Sequence, residues 1–253
     1  MVYKTIKLKK AFLKTKNLLY IRINERKYKN LPYLFQQNNS DTLLIVFSAF
    51  TGEKRRYYYI KSFKTLKCDK LFILDPWGHL GSYNLFENGY DYPQKITQSL
   101  IDLIAHRKPY KHIYTAGSSK GGTCAIYFGL TIGADEIFSG ACQYNLGTYL
   151  WREEFRDIFY GMMGKNAGQK EVDMLNDIVK AKVRAGSKGS SRIHVLYSKK
   201  EMTYERQIID LLHDLSEFDV PFVDIESDFE KHEMVSEPFV KYVKSYIENQ
   251  KQQ

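Results

Sequence analysis

The stretch Lys111-His112-Ile113-Tyr114-Thr115-Ala116-Gly117-Ser118-Ser119-Lys120-Gly121-Gly122-Thr123-Cys124-Ala125 runs from an aromatic and β-branched segment, through a glycine-rich turn, into an apolar segment of helical spacing. Within it, Gly117-Ser118-Ser119-Lys120-Gly121 fits the pattern G-x-S-x-G. Such a pattern between a strand and a helix predicts a sharp elbow with the serine at its apex, because a Cβ two residues to either side would collide with the neighbouring chain. Ser119 is then the candidate nucleophile, and the amide of Lys120, at the head of the following helix, is a candidate oxyanion donor. Ser118 is the competing hydroxyl, but its register is wrong. A generic glycine-rich turn and a phosphate loop are the other readings; the Gly-Lys-Ser/Thr that a Walker-type loop needs after four spacer residues is absent.

Outward from the elbow, short β-branched or aromatic runs alternate with longer segments of helical period, which predicts an α/β protein with a mostly parallel, doubly wound sheet. Strands are expected at Leu18 to Ile23, Leu43 to Phe47, Leu71 to Asp75, His112 to Ala116, Glu136 to Ser139, Ile193 to Tyr197 and Phe222 to Glu226. Helices are expected at Arg56 to Leu66, Pro93 to His106, Gly121 to Ile132, Thr203 to Phe218 and Val235 to Glu248. The stretch from Gln143 to Arg192 breaks the rhythm with two helix-like segments, Leu146 to Met163 and Gln169 to Val183. It is read as a helical cap inserted over the sheet's C-terminal edge, with Gly186 to Ser191 as a flexible return loop.

A serine nucleophile in this kind of sheet is followed in the chain first by an acid and then by a histidine base. Glu201 lies in the loop after Ile193 to Tyr197, and His232 in the loop after the last strand, so both stand where the acid and the base belong. A solvated loop carboxylate is the plainer alternative for Glu201. Of the other histidines, His106 and His213 fall in helices and His112 and His194 in or beside strands, where packing is the simpler role. His79, on the loop Asp75-Pro76-Trp77-Gly78-His79, is a candidate substrate contact with its neighbour Trp77, against the reading of an ordinary loop histidine. A second oxyanion amide is expected after Leu43 to Phe47, from Ala49 or Phe50; side chains do not choose between them.

Composition narrows the class. The 253 residues are 43% hydrophobic, too apolar for a disordered chain, and the longest apolar run falls far short of the roughly 18 residues of a membrane span. No secretory signal is visible at Met1 to Lys7, so a cytoplasmic protein is expected. Cys68, Cys124 and Cys142 are too few and too scattered for a disulfide framework or a zinc site, and no metal is expected. The net charge of +9 is uneven. Residues 1 to 30 carry ten basic residues and one acid, and the remaining 223 balance at 28 of each sign. The reading is therefore a basic segment over 1 to 30, packed as strands on the same domain, followed by one domain over 31 to 253. That segment suits an acidic polysaccharide or an anionic membrane surface, or is simply a solvated edge strand; nucleic acid has no supporting motif.

The block Ile45 to Phe50, the elbow Gly117-Ser118-Ser119-Lys120-Gly121-Gly122, the stretch from Ile137 to Leu150 with Gln143, and His232 together resemble the bacterial capsular polysaccharide O-acetyltransferases of the α/β-hydrolase fold. More remotely they resemble the accessory-secretion proteins that modify adhesin glycans. The resemblance spans about residues 40 to 245 and leaves the first 30 outside. It implies a serine, acid, histidine triad at Ser119, Glu201 and His232, with Gln143 as a further substrate contact. It also implies acetyl-CoA as acyl donor, a glycan acceptor, and work beside the capsule-synthesis machinery or the inner face of the membrane. The family's acid is more often aspartate, and here it is glutamate. The same triad serves an esterase when water replaces the acceptor, and a non-catalytic assembly partner on the same scaffold is the third reading.

Overall fold

A computed structural model describes residues 18–50, 56–78, 80–186 and 189–250. Among the described residues eight strands form one sheet: β1 (Arg26–Tyr28), β2 (Leu31–Gln36), β3 (Thr42–Phe47), β4 (Asp69–Ile73), β5 (His112–Ser118), β6 (Glu136–Gly140), β7 (Arg192–Tyr197) and β8 (Phe222–Glu226). Their order across the sheet is β1-β2-β4-β3-β5-β6-β7-β8. From β4 to β8 all pairings are parallel, while β1 and β2 add an antiparallel margin. The helices are α1 (Tyr92–Ala105), α2 (Lys120–Ile132), α3 (Leu146–Leu150), α4 (Arg156–Met163), α5 (Gln169–Gly186), α6 (Ile209–Glu217) and α7 (Ser236–Gln250).

Alternation along the buried strands builds two cores, one on each face. Leu43, Ile45 and Phe47 of β3 face the core made with α1, α2, α5 and α6. Leu44 and Val46 face the other, closed by α7 through Phe239, Val243 and Ile247. A sheet covered on both faces explains why its central strands read as continuous apolar runs.

Four expectations change. Residues 18–24, which include the strand expected at Leu18 to Ile23, are helical: Glu25 N–H donates to the Ile21 carbonyl, and Tyr20 and Ile21 pack on the α7 core. The alternation was one helical stripe. The segment Arg56 to Leu66 forms turns instead of a helix. Tyr59, at φ 62°, breaks the helical path, yet Tyr59, Ile60, Phe63 and Leu66 still point into the core. The hairpin of β1 and β2 went unread because Pro32 demotes a strand pattern; Lys29 and Asn30, both at positive φ, make its two-residue turn. In the stretch expected as a cap, α5 packs along α2 as the crossover from β6 to β7 and buries Val172, Leu175, Val179 and Val183 in the main core.

Of the basic leading segment, residues 1–17 lie outside the described residues, as do Ser187 and Lys188 of the expected return loop. Arg26 and Lys27 are exposed on the edge strand β1, a placement that discourages further strands from pairing there. Among the described residues no helix is long and apolar enough to cross a membrane.

Candidate active site

The turn from β5 into α2 is built by two close approaches. A Cβ on Gly117 would lie 2.2 Å from the Gly121 carbonyl carbon, and one on Gly121 would lie 2.6 Å from the Phe47 carbonyl oxygen. Both positions therefore require glycine. Between them Ser119 is forced to φ 53°, ψ −128°, a region that side chains rarely occupy. Its N–H donates to the Gly140 carbonyl at 2.7 Å, which fixes the turn against the end of β6. Ser118 points the other way, with its hydroxyl 2.6 Å from that of Tyr59 in the opposite core.

The Ser119 hydroxyl donates to His232 Nε2 at 2.7 Å, and His232 Nδ1–H donates to Glu201 Oε1 at 3.1 Å. His232 opens a short 3-10 turn after β8, and Glu201 lies in the loop after β7. Ser198 couples those two loops, since its hydroxyl oxygen accepts from the amides of Lys200 and Phe229. The other carboxylate oxygen of Glu201 accepts from the hydroxyl and the amide of Thr203. Burial works against the Glu201 charge, but the hydrogen bonds from His232 and Thr203 outweigh it and hold the carboxyl below its ordinary range. An ionised Glu201 keeps the proton on Nδ1, and Nε2 is left as the acceptor facing the serine.

As first residue of α2, Lys120 has no intrahelical acceptor for its amide, which heads the helix beside the Ser119 hydroxyl. Its side chain turns inward instead, to a buried ion pair with Asp75 at 2.6 Å. The loop after β3 passes close by: the Phe50 ring meets Tyr83 edge-on and lies 5.4 Å from the Lys120 ammonium. That places the segment carrying the Ala49 and Phe50 amides next to the elbow.

Gln143 is fully buried, and its Nε2–H donates to Ser119 Oγ at 3.2 Å. It therefore meets the serine itself, at the position the resemblance marks as a substrate contact. Trp77 is buried in the core, with its ring edge-on to Tyr92 and its amide on Asp75. His79 lies outside the described residues. Sequence reading missed Thr203, Tyr83, Asp75 and the inward turn of Lys120. Only Thr203, two residues from the acid, carried a usable signal. Cys124 and Cys142 lie on the elbow's inner side as free thiols, and burial pushes them up to about 12 and about 11, so neither competes as a thiolate.

A cleft of about 400 Å³ opens beside the acid, between α3 and the π-helical turn Tyr204–Ile208, with Thr203 and Tyr149 in its wall. Among the described residues the group of side chains near enough to share a metal is His213, Asp214 and Glu217 on α6, with His213 and Glu217 exposed and Asp214 half-buried.

A serine elbow after β5, an acid after β7 and a histidine after β8 on a sheet of this order define the α/β-hydrolase fold. Solved structures agree. The chain is similar to the capsule O-acetyltransferase of Neisseria meningitidis serogroup A, with a TM-score of 0.75 at 20% identity over 88% of this chain and 93% of that one. A histidine mutant of that enzyme has been solved in complex with CoA. The chain is also similar to the Glycosylation Associate Protein (Gap123) complex from Streptococcus agalactiae, with a TM-score of 0.73 at 19% identity over 89% of this chain and 46% of that one. The fluorophosphonate-binding serine hydrolase FphF of Staphylococcus aureus follows at a TM-score of 0.62 and 15% identity, over 86% and 91% of the two chains. At these identities the likeness is one of fold. No protein-family model and no curated protein matches the sequence.

Proposed function

We propose that this protein is a serine acyltransferase that moves an acetyl group from acetyl-CoA to a hydroxyl of a bacterial surface glycan. The observation that carries the reading is the continuous hydrogen-bonded path from Ser119 through His232 to an ionised Glu201, on a fold shared with a capsule O-acetyltransferase. In the first half-reaction Ser119 Oγ attacks the thioester carbonyl while His232 Nε2 takes its proton. The oxyanion lies against the Lys120 amide and one from Ala49 or Phe50. Collapse breaks the carbon–sulfur bond, and His232 returns the proton to the departing CoA sulfur. A glycan hydroxyl then attacks the serine ester, His232 takes that proton, and collapse releases the O-acetyl glycan and restores the Ser119 hydroxyl.

Water in place of the glycan makes the same machinery an esterase, a second reading supported by the fold likeness to serine hydrolases. The basic residues 1 to 30 are proposed to hold an acidic glycan or the anionic inner face of a membrane near the site. Intact mass spectrometry after mixing with acetyl-CoA tests the reading. An added acetyl group on Ser119, discharged onto an added capsular glycan preparation faster than onto water, is the expected result. Acetyl transfer that survives Ser119→Ala would overturn it.

A further inference from the structure

We infer that Gln143 is a fourth working member of the site: its side-chain N–H holds the Ser119 oxygen and stabilises the negative charge that this oxygen carries in both half-reactions. The inference rests on Ser119 being the nucleophile.

The serine oxygen has one hydrogen and two lone pairs. With Gln143 Nε2–H donating into one lone pair at 3.2 Å, the hydroxyl hydrogen is directed to His232 Nε2, and the second lone pair stays free for attack. An amide carries hydrogen on nitrogen only, so the orientation of Gln143 decides whether it assists the serine or competes with His232 for its proton. Because the Ser119 hydrogen is directed to His232, Oγ can only accept from Gln143, so Nε2–H faces the serine and Oε1 is left to accept from the Tyr83 hydroxyl at 3.3 Å. Main-chain bonds lock the same residue: Gln143 N–H donates to the Thr123 hydroxyl oxygen, and that hydroxyl donates to the Gln143 carbonyl.

Tyr83 is itself held from the elbow. The Asp75 carboxylate accepts from the amides of Ser82 and Asn84 on either side of it and from Lys120 Nζ. The contacts therefore close a ring from Lys120 through Asp75, the 82–84 loop, Tyr83 and Gln143 back to Ser119. Every side chain in that ring is buried, so the donor is in place before any substrate arrives. As the proton leaves Ser119, the amide faces a growing alkoxide. When the acyl-serine breaks down, Oγ is the leaving group and gains the same support.

The test is the second-order rate of labelling by an alkyl fluorophosphonate, which forms a bond from phosphorus to Ser119 Oγ and expels fluoride. It is measured across pH with thermal melts of each variant. Gln143→Leu is expected to label roughly 100-fold more slowly than wild type, the scale for loss of one preorganised donor. Gln143→Glu is expected to be slower still at neutral pH, because a carboxylate repels the forming alkoxide. Its rate relative to Gln143→Leu rises as pH falls, since a protonated carboxyl donates again. Tyr83→Phe is expected to lose several-fold, and it keeps the test open where Gln143→Leu fails to fold. Wild-type labelling in Gln143→Leu, or a ratio that is flat with pH, overturns the inference. Labelling that persists in Ser119→Ala overturns the serine reading instead.

Discussion

Two histidines in this protein are each held between a glutamate and a hydroxyl. His232 lies between Glu201 and Ser119, at 3.1 and 2.7 Å. His194, inside β7, lies between Glu136 and Tyr242, at 2.6 and 2.7 Å, and Tyr246 donates to the same glutamate at 2.5 Å. In both, burial opposes the carboxylate and hydrogen bonds from the histidine and a hydroxyl still bring it below its ordinary range. What differs is the third partner and the access to it. The His194 side chain is 1% exposed and stacked on Phe138, and its hydroxyl is a phenol inside an aromatic cluster. The His232 side chain is 31% exposed, and its hydroxyl stands on a strained turn at the head of a helix. A histidine–glutamate–hydroxyl pattern thus does not define a site. Backbone strain and an approach for substrate do.

Substitution separates the two clusters most sharply at the histidines. His232→Ala is expected to slow acetylation of Ser119 by roughly 10⁴-fold or more, with the fold kept, as read by stopped-flow with acetyl-CoA. His194→Ala should leave that rate within a few-fold and cost about 3 kcal/mol in urea unfolding, because it leaves a partly buried carboxylate and a cavity. A large kinetic loss from His194→Ala would break the comparison. Next comes Glu201→Gln, expected to lower the acetylation rate about 10³-fold by releasing the Nδ1 proton from its anchor.

Acid stability sharpens the comparison further. A carboxyl held low in the folded state contributes stability above its ordinary range, and that contribution is lost as pH falls through the lowered value. Unfolding midpoints followed from about pH 7 to about pH 3 should therefore fall less steeply in Glu136→Gln and in Glu201→Gln than in wild type. The smallest effect is expected from Tyr242→Phe, about 1 kcal/mol of stability with acetylation unchanged.

Much of this could be read along the chain, for a physical reason. Ser119 and Glu201 each follow a mostly buried strand and His232 follows the half-exposed last strand, and the ends of these strands are set by local apolar pattern and turn chemistry. The partners of these residues arise from folding back across long separations, which no local pattern encodes. Asp75 meets Lys120 across 45 residues, and Tyr83 meets Gln143 across 60. The sheet margin was legible least. Pro32 masked β2, and at residues 18–24 a run of apolar residues suited a strand as well as a helix until Tyr20 and Ile21 found the α7 core.

The backbone at Ser119 bears on how such a chain would change over generations. A serine held at φ 53° costs about 1–3 kcal/mol that glycine would not, so stability alone favours its loss. Only use of the hydroxyl offsets that pressure. In a lineage where the chemistry no longer mattered, drift toward glycine at this position would come early, while Gly117 and Gly121, tied to chain contact, would persist. The residue at the apex is therefore a record of whether a descendant still carries out its reaction.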